Sequence, residues 1–160
     1  MVKVLLIAVG KVRSLFSAPI AEYEKRLRRY YSFDVLELKE QPSHQVSGPE
    51  QVREEEGTRI LARLPTGYDL VALHREGESW GSERLSIYLA NLALQSRTGV
   101  AFAIGGAFGL SEDVLQRSNR HLSLSAMTLP HEMARLVLTE QLYRAGTIAR
   151  GEPYHKGGGG

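Results

Sequence analysis

The sequence predicts an α/β fold, one domain with a mainly parallel sheet and helices on both faces. Two observations predict it: five apolar runs bounded by turn residues recur along the 160 residues, and helical patterns lie between them. Strands that alternate with helices build βα units, because parallel neighbours need long crossover connections.

The first strand falls at 2–9, in Val2-Lys3-Val4-Leu5-Leu6-Ile7-Ala8-Val9. The run is too short for a signal peptide and no small-residue cleavage site follows it. Phe16, Ile20, Tyr23, Leu27 and Tyr30 then step by four and three residues, which places one apolar stripe on a helix over 14–31. Further strands are expected at 33–38, 69–73, 99–104 and 122–125, and further helices at 49–64, 82–97, 111–118 and 131–148. Ser111 is the expected N-cap of the fourth helix, with Glu112 and Asp113 meeting its positive end. Residues 40–48, rich in Gln, Ser, His and Pro, read as an irregular loop. The domain is taken as 1–156, followed by a flexible glycine tail at 157–160.

The last helix is apolar almost all round. Met133, Ala134, Leu136, Val137, Leu138, Leu142, Tyr143, Ala145 and Ile148 leave only a narrow polar stripe, so it is expected to be covered on both sides. The sheet covers one side; a second copy of the chain is the expected cover of the other, which predicts a homodimer.

Composition narrows the functional classes. A chain with 42% hydrophobic and 24% charged residues is that of an ordinary globular domain, and no apolar run approaches the roughly 20 residues that cross a bilayer. We expect a cytoplasmic protein with no membrane association. The absence of cysteine excludes disulfides, thiolate metal sites and cysteine nucleophiles. The five histidines form no i,i+4 pair and no H-E-x-x-H, so no metal is expected, and no G-x-S-x-G elbow supports serine hydrolysis. Net charge is only +2, but Lys25, Arg26, Arg28 and Arg29 lie beside Tyr23, Tyr30 and Tyr31. That cluster is either a nucleic-acid surface or a solvated helix face whose tyrosines pack inward.

Three segments are candidates for chemistry. Ile104-Gly105-Gly106-Ala107-Phe108-Gly109-Leu110 follows the fourth strand, and its glycines allow a sharp turn and close ligand approach. It is neither a G-x-G-x-x-G fingerprint nor a P-loop. His121 to His131, through Leu124, Ser125, Ala126, Met127, Thr128 and Leu129, leads from the fifth strand into the last helix. Both segments lie at carboxyl ends of strands, where open parallel sheets bind ligands. Being poor in charge and rich in backbone amides, they suit an adenosine moiety better than a phosphorylated cofactor. Leu73, ending the third strand, is expected as an apolar wall on the same rim. The third segment, Arg150-Gly151-Glu152-Pro153-Tyr154-His155-Lys156, combines stacking, proton transfer and anion contact.

With these segments in place, the chain resembles the SPOUT-class large-subunit ribosomal RNA pseudouridine methyltransferases. The resemblance runs end to end, through Ala8-Val9-Gly10-Lys11, Ile104-Gly105-Gly106, Leu122 to His131, Glu140-Gln141-Leu142-Tyr143-Arg144-Ala145 and Pro153-Tyr154-His155-Lys156. It implies a single-domain trefoil-knotted α/β fold, a homodimer, and S-adenosylmethionine held by Leu73, Gly105 and Leu124, Ser125, Ala126, Met127, Thr128 and Leu129. It further implies methylation of N3 of a pseudouridine in 23S ribosomal RNA, with the assembled ribosome as partner. On that reading His155 takes or relays the N3 proton, Tyr154 orients the base, Lys156 and Arg144 meet phosphate or oxyanion, and Glu140 orients the tail or faces the sulfonium. The chain departs from the family pattern at Phe108, where relatives often carry a polar or acidic residue, and in the glycines after Lys156. The alternatives are a non-catalytic ribosome- or RNA-binding module with the same fold, and a doubly wound nucleotide enzyme, which lacks the acidic ribose ligand where His121 to Ser125 stand.

Overall fold

The computed structural model describes residues 1–154; His155, Lys156 and the glycine tail lie outside the described residues. Five strands form one parallel sheet in the order β2-β1-β4-β3-β5: β1 Lys3–Val9, β2 Ser32–Leu38, β3 Tyr68–Ser79, β4 Gly99–Ile104 and β5 Arg120–Ser123. The helices are α1 Ser14–Leu27, α2 Pro49–Ala62, α3 Ser82–Leu94, α4 Glu112–Arg117 and α5 His131–Ala149, with a short 3-10 turn at Ser43–Gln45 in the expected loop.

Alternate residues of β1 and β4 feed two cores, as the pleat requires. Val4, Leu6, Ala8, Val100, Phe102 and Ile104 point to the side of α1, α3 and α5. Leu5, Ile7, Val9, Ala101 and Ala103 point to the side of α2 and α4, with Ile60 and Val114. The helices therefore cover both faces, as expected.

Three local expectations are corrected. First, α1 stops at Leu27, and residues 28–30 turn so that Tyr30 and Tyr31 enter the core. The rings of the basic cluster are thus packed inward, with Arg26 over Tyr23 and Tyr143 and Arg29 over Tyr30. Second, α5 lies between α1 and α3, so these two helices supply within one chain much of the second cover that its wide apolar stripe demanded. A half-buried outer stripe of Met133, Leu136 and Val137 remains. Third, β3 runs on to Ser79, well past the expected 69–73, and β5 begins earlier, at Arg120.

The extension of β3 has an unusual partner. Leu122 pairs with Leu73 and again with Glu78, and Ser123 pairs with Ser79. The register between the two strands therefore slips between Leu73 and Glu78, while β5 remains the edge strand beside β3. The crossing from one register to the next runs against β5: a Cβ on Gly77 would meet the His121 backbone at 2.6 Å, and Ser123 Oγ donates to the Arg75 carbonyl at 3.0 Å.

Candidate functional site

Parallel strands direct all their carboxyl ends to one rim, and there the structure opens a cleft of about 690 Å³. Its floor is Ile104-Gly105-Gly106, leaving β4. Gly105 approaches the returning loop so closely that a Cβ would lie 2.6 Å from the Gly109 carbonyl carbon and 3.0 Å from the Leu110 nitrogen. Gly109 closes the turn with a left-handed φ of 82° and donates its N–H to the Gly106 carbonyl at 3.0 Å. Ser111 then caps α4, accepting from the Val114 N–H at 3.2 Å.

The structure brings together Leu73, Gly105, Leu124, Ser125, Met127, Thr128 and Leu129, all of which line this cleft. Ala126, expected with them, does not: Ser125 Oγ accepts the Met127 N–H at 3.0 Å, a local turn that leaves Ala126 exposed. Arg75 reaches from the β3 crossing to Thr128 Oγ1 at 3.1 Å, tying one wall to the other. Sequence reasoning missed Arg53, His74, Arg75 and Glu76 on the rim. The polar run from His74 to Ser79 carries no apolar alternation to mark it as a strand, and Arg53 is hidden in the charged run of α2.

Beneath Gly106 lies Glu56 of α2, buried to 3% exposure. Its Oε2 accepts the Gln41 N–H at 2.9 Å, while Oε1 has no hydrogen-bond partner. Burial pushes this carboxyl above the usual glutamate range, with Glu40 adding to the effect and the Gln41 N–H opposing it. Its folded pKa therefore exceeds its unfolded one, the native chain holds the extra proton between the two values, and stability falls as pH rises through that window. Glu56→Gln is neutral at every pH and removes this slope. Urea unfolding from acidic to neutral pH should show the variant gaining on the wild type as pH rises; parallel curves would refute the assignment.

The tail-side residues form a separate cluster. Arg144 pairs with Glu140 at 2.7 Å and stands over the Tyr154 ring at 4.9 Å. Tyr154 packs edge-on against Tyr143, centroids 4.6 Å apart, and burial followed by the neighbouring Tyr23 hydroxyl pushes its phenol up to about 12. Glu152 accepts from Tyr30 Oη at 2.5 Å, which fixes the approach to the tail. His131, at the cleft, and Arg144 are 13 residues apart on one helix; at about 1.5 Å per residue that is roughly 20 Å. Within one chain the structure does not bring the tail cluster to the cleft.

Among the described residues no group of three or more His, Asp or Glu could hold a metal ion, and no helix is long and apolar enough to cross a membrane.

Comparison with known proteins agrees with this architecture. Residues 2–155 match the family described as "Predicted SPOUT methyltransferase". A Pelotomaculum thermopropionicum protein named ribosomal RNA large subunit methyltransferase H is 46% identical over 161 residues, covering 97% of this chain and 99% of that one. A protein of the same name from Gemmatimonas aurantiaca is 46% identical, covering 96% and 99%, and one from Listeria welshimeri is 43% identical, covering 94% and 98%. Two solved structures share the fold. A protein from Legionella pneumophila, described as a methyltransferase in complex with SAM, superposes with TM-score 0.52 at 13% identity, covering 91% of this chain and 67% of that one. Another described as a methyltransferase, from Bordetella pertussis, gives TM-score 0.56 at 15% identity, covering 90% and 94%. With its rim cleft and with full-length relatives so close in sequence, this chain belongs to the SPOUT methyltransferases, and among them to the ribosomal RNA large subunit methyltransferase H family.

Proposed function

We propose that this protein transfers a methyl group from S-adenosylmethionine to N3 of a pseudouridine in 23S ribosomal RNA, acting in the cytoplasm on the assembled ribosome. The observation that carries the reading is the convergence of Leu73, Gly105 and the 124–129 loop on one cleft at the strand ends. These residues fit the cofactor. The volume is that of a small-molecule site, the floor is a glycine turn whose close backbone approach leaves no room for a Cβ at residue 105, and Leu73, Leu124 and Leu129 supply apolar walls for an adenosine. Bound there, S-adenosylmethionine supplies an electrophilic methyl carbon.

The chain's own part is positioning and proton handling. N3 must lose its proton as the methyl arrives, and the nitrogen must be held in line. We assign the proton to His155, orientation of the base to Tyr154, and anion contacts to Arg144 and Lys156, with Glu140 fixing Arg144 through their ion pair. Because Arg144, with Tyr154 packed beside it, stands far along α5 from the cleft, the tail of one protomer serves the cleft of its partner in a homodimer. The half-buried stripe of Met133, Leu136 and Val137 supports that interface.

The test is labelled methyl transfer to ribosomes, subunits and naked RNA lacking the modification, followed by mapping of the base. Transfer to a pseudouridine N3 is expected, best on ribosomes. Cofactor binding without transfer to any of the three would instead indicate a non-catalytic ribosome-binding module. His155→Ala should lower the rate about a hundredfold or more, the usual scale of a lost proton-transfer group, at nearly unchanged cofactor affinity. Equal rates would remove His155 from the mechanism.

A further inference from the structure

We propose that Phe108 is the stacking platform for the base that is methylated, with Met127 closing on the base from the other loop of the cleft. The inference rests on the RNA-methylation reading above and gives it a substrate contact on the cleft side.

Phe108 lines the cleft yet keeps 42% of its surface exposed, and Met127, also lining the cleft, keeps 79%. Large apolar groups left exposed around a polar-rimmed cleft mark a surface that a ligand covers. The two come from separate loops, Phe108 after β4 and Met127 after β5. The backbone that carries Phe108 is closed on itself. Phe108 sits at the tip of the turn closed by the Gly109 N–H to Gly106 carbonyl bond at 3.0 Å, and the same two glycines form an isolated antiparallel bridge. An exposed ring carried on a closed turn is what an unstacked base requires, since sequence-tolerant contacts to bases are made largely by aromatic stacking.

The charges around this lip favour a nucleic acid over an uncharged apolar ligand. Arg53 and Arg75 both line the cleft, and neither is paired with a carboxylate among the described residues. Arg75 spends one bond on the neutral Thr128 hydroxyl and keeps its charge for a partner. Glu76 is the acid on the cleft rim, while Glu50, Glu54, Glu112 and Asp113 lie in the adjoining hollow that Arg53 also lines. Phosphates are therefore expected on the Arg75 side.

The experiment measures three quantities for the wild type and for Phe108→Tyr and Phe108→Leu: methyl transfer to ribosomes, S-adenosylmethionine affinity by calorimetry, and oligomeric state by sedimentation. Phe108→Leu keeps apolar bulk but loses the ring, and kcat/KM for ribosomes should fall about tenfold or more, the scale of truncating an aromatic beneath a base. Phe108→Tyr should stay close to the wild type, and cofactor affinity should hold within about twofold in both, since an exposed ring carries little of the fold. A Leu variant as active as the wild type would overturn the proposal. So would a parallel loss of cofactor affinity, which would place the ring on the cofactor, or a changed oligomeric state, which would place a second copy over the lip. An inactive wild type overturns the RNA-methylation reading itself, and this proposal with it.

Discussion

Gly105→Val abolishes S-adenosylmethionine binding: calorimetry on the variant is expected to show no heat at concentrations that saturate the wild type, while circular dichroism shows a folded chain. The reason is local. A Cβ at residue 105 would meet the carbonyl carbon and oxygen of Gly109 at 2.6 and 2.7 Å and the Leu110 nitrogen at 3.0 Å. All three are backbone atoms, so no rotamer change relieves the contact, and the turn from Gly106 to Gly109 must open. Opening it removes the floor of the cleft. Gly106 is the natural control, because a Cβ there would meet Glu56 Oε1 at 3.0 Å and Val9 Cγ1 at 3.2 Å, side-chain atoms able to shift by a few tenths of an ångström. Gly106→Ala should therefore weaken binding far less. Cofactor affinity in Gly105→Val within a few-fold of the wild type would mean that the glycine turn is not the floor of the cofactor site.

The largest effect on stability is expected from Arg135→Leu. This guanidinium is 6% exposed and donates from Nε and Nη2 to Glu24 Oε2, at 3.1 and 2.9 Å, and from Nη1 to Glu37 Oε2 at 2.6 Å. It joins α5 to α1 and to β2. Removing it leaves Glu24 buried without a counter-charge, which costs about 3–5 kcal/mol. In a chain of this length that corresponds to a drop of roughly 10 °C in Tm. The double variant Arg135→Leu with Glu24→Leu should recover most of the loss, because burying two apolar groups in place of an ion pair is close to neutral. Calorimetric unfolding of the two variants decides the matter: a single variant as stable as the wild type, or a double variant no better than the single, would contradict the account.

The sheet and its two helical layers were legible because β1, β4 and the start of β3 are runs of Val, Ile, Leu, Ala or Phe. The cleft was legible too, since loops at the carboxyl ends of parallel strands converge by construction, and of the residues expected to meet there only Ala126 failed to join it. What periodicity could not show was anything set by a distant partner. Residues 74–79 are polar on both faces and are strand only because Glu78 and Ser79 find β5. The helix expected to reach Tyr31 ends at Leu27 because Tyr30 is drawn against α5, where a Cβ on Gly146 would lie 2.5 Å from its ring. The breadth of the apolar stripe on α5 announced burial but not the identity of the cover. For the tail, the sequence named Glu140, Arg144 and Tyr154 together, and they do cluster, but no pattern along the chain could reveal how far along α5 they stand from the cleft.

The pairing of Leu122 with β3 ties the existence of the cleft to a contact between segments some fifty residues apart in the chain. Leu73 stands where β3 first pairs with β5, and the 124–129 loop is the chain leaving β5. A chain in which β5 has not reached this place has the glycine turn but no opposing wall. Ligand added to a refolding mixture should then stabilise finished molecules by mass action and do nothing to recruit unfinished ones. Affinity for the cofactor, ordinarily a property of a site, here reports that β5 has docked against β3.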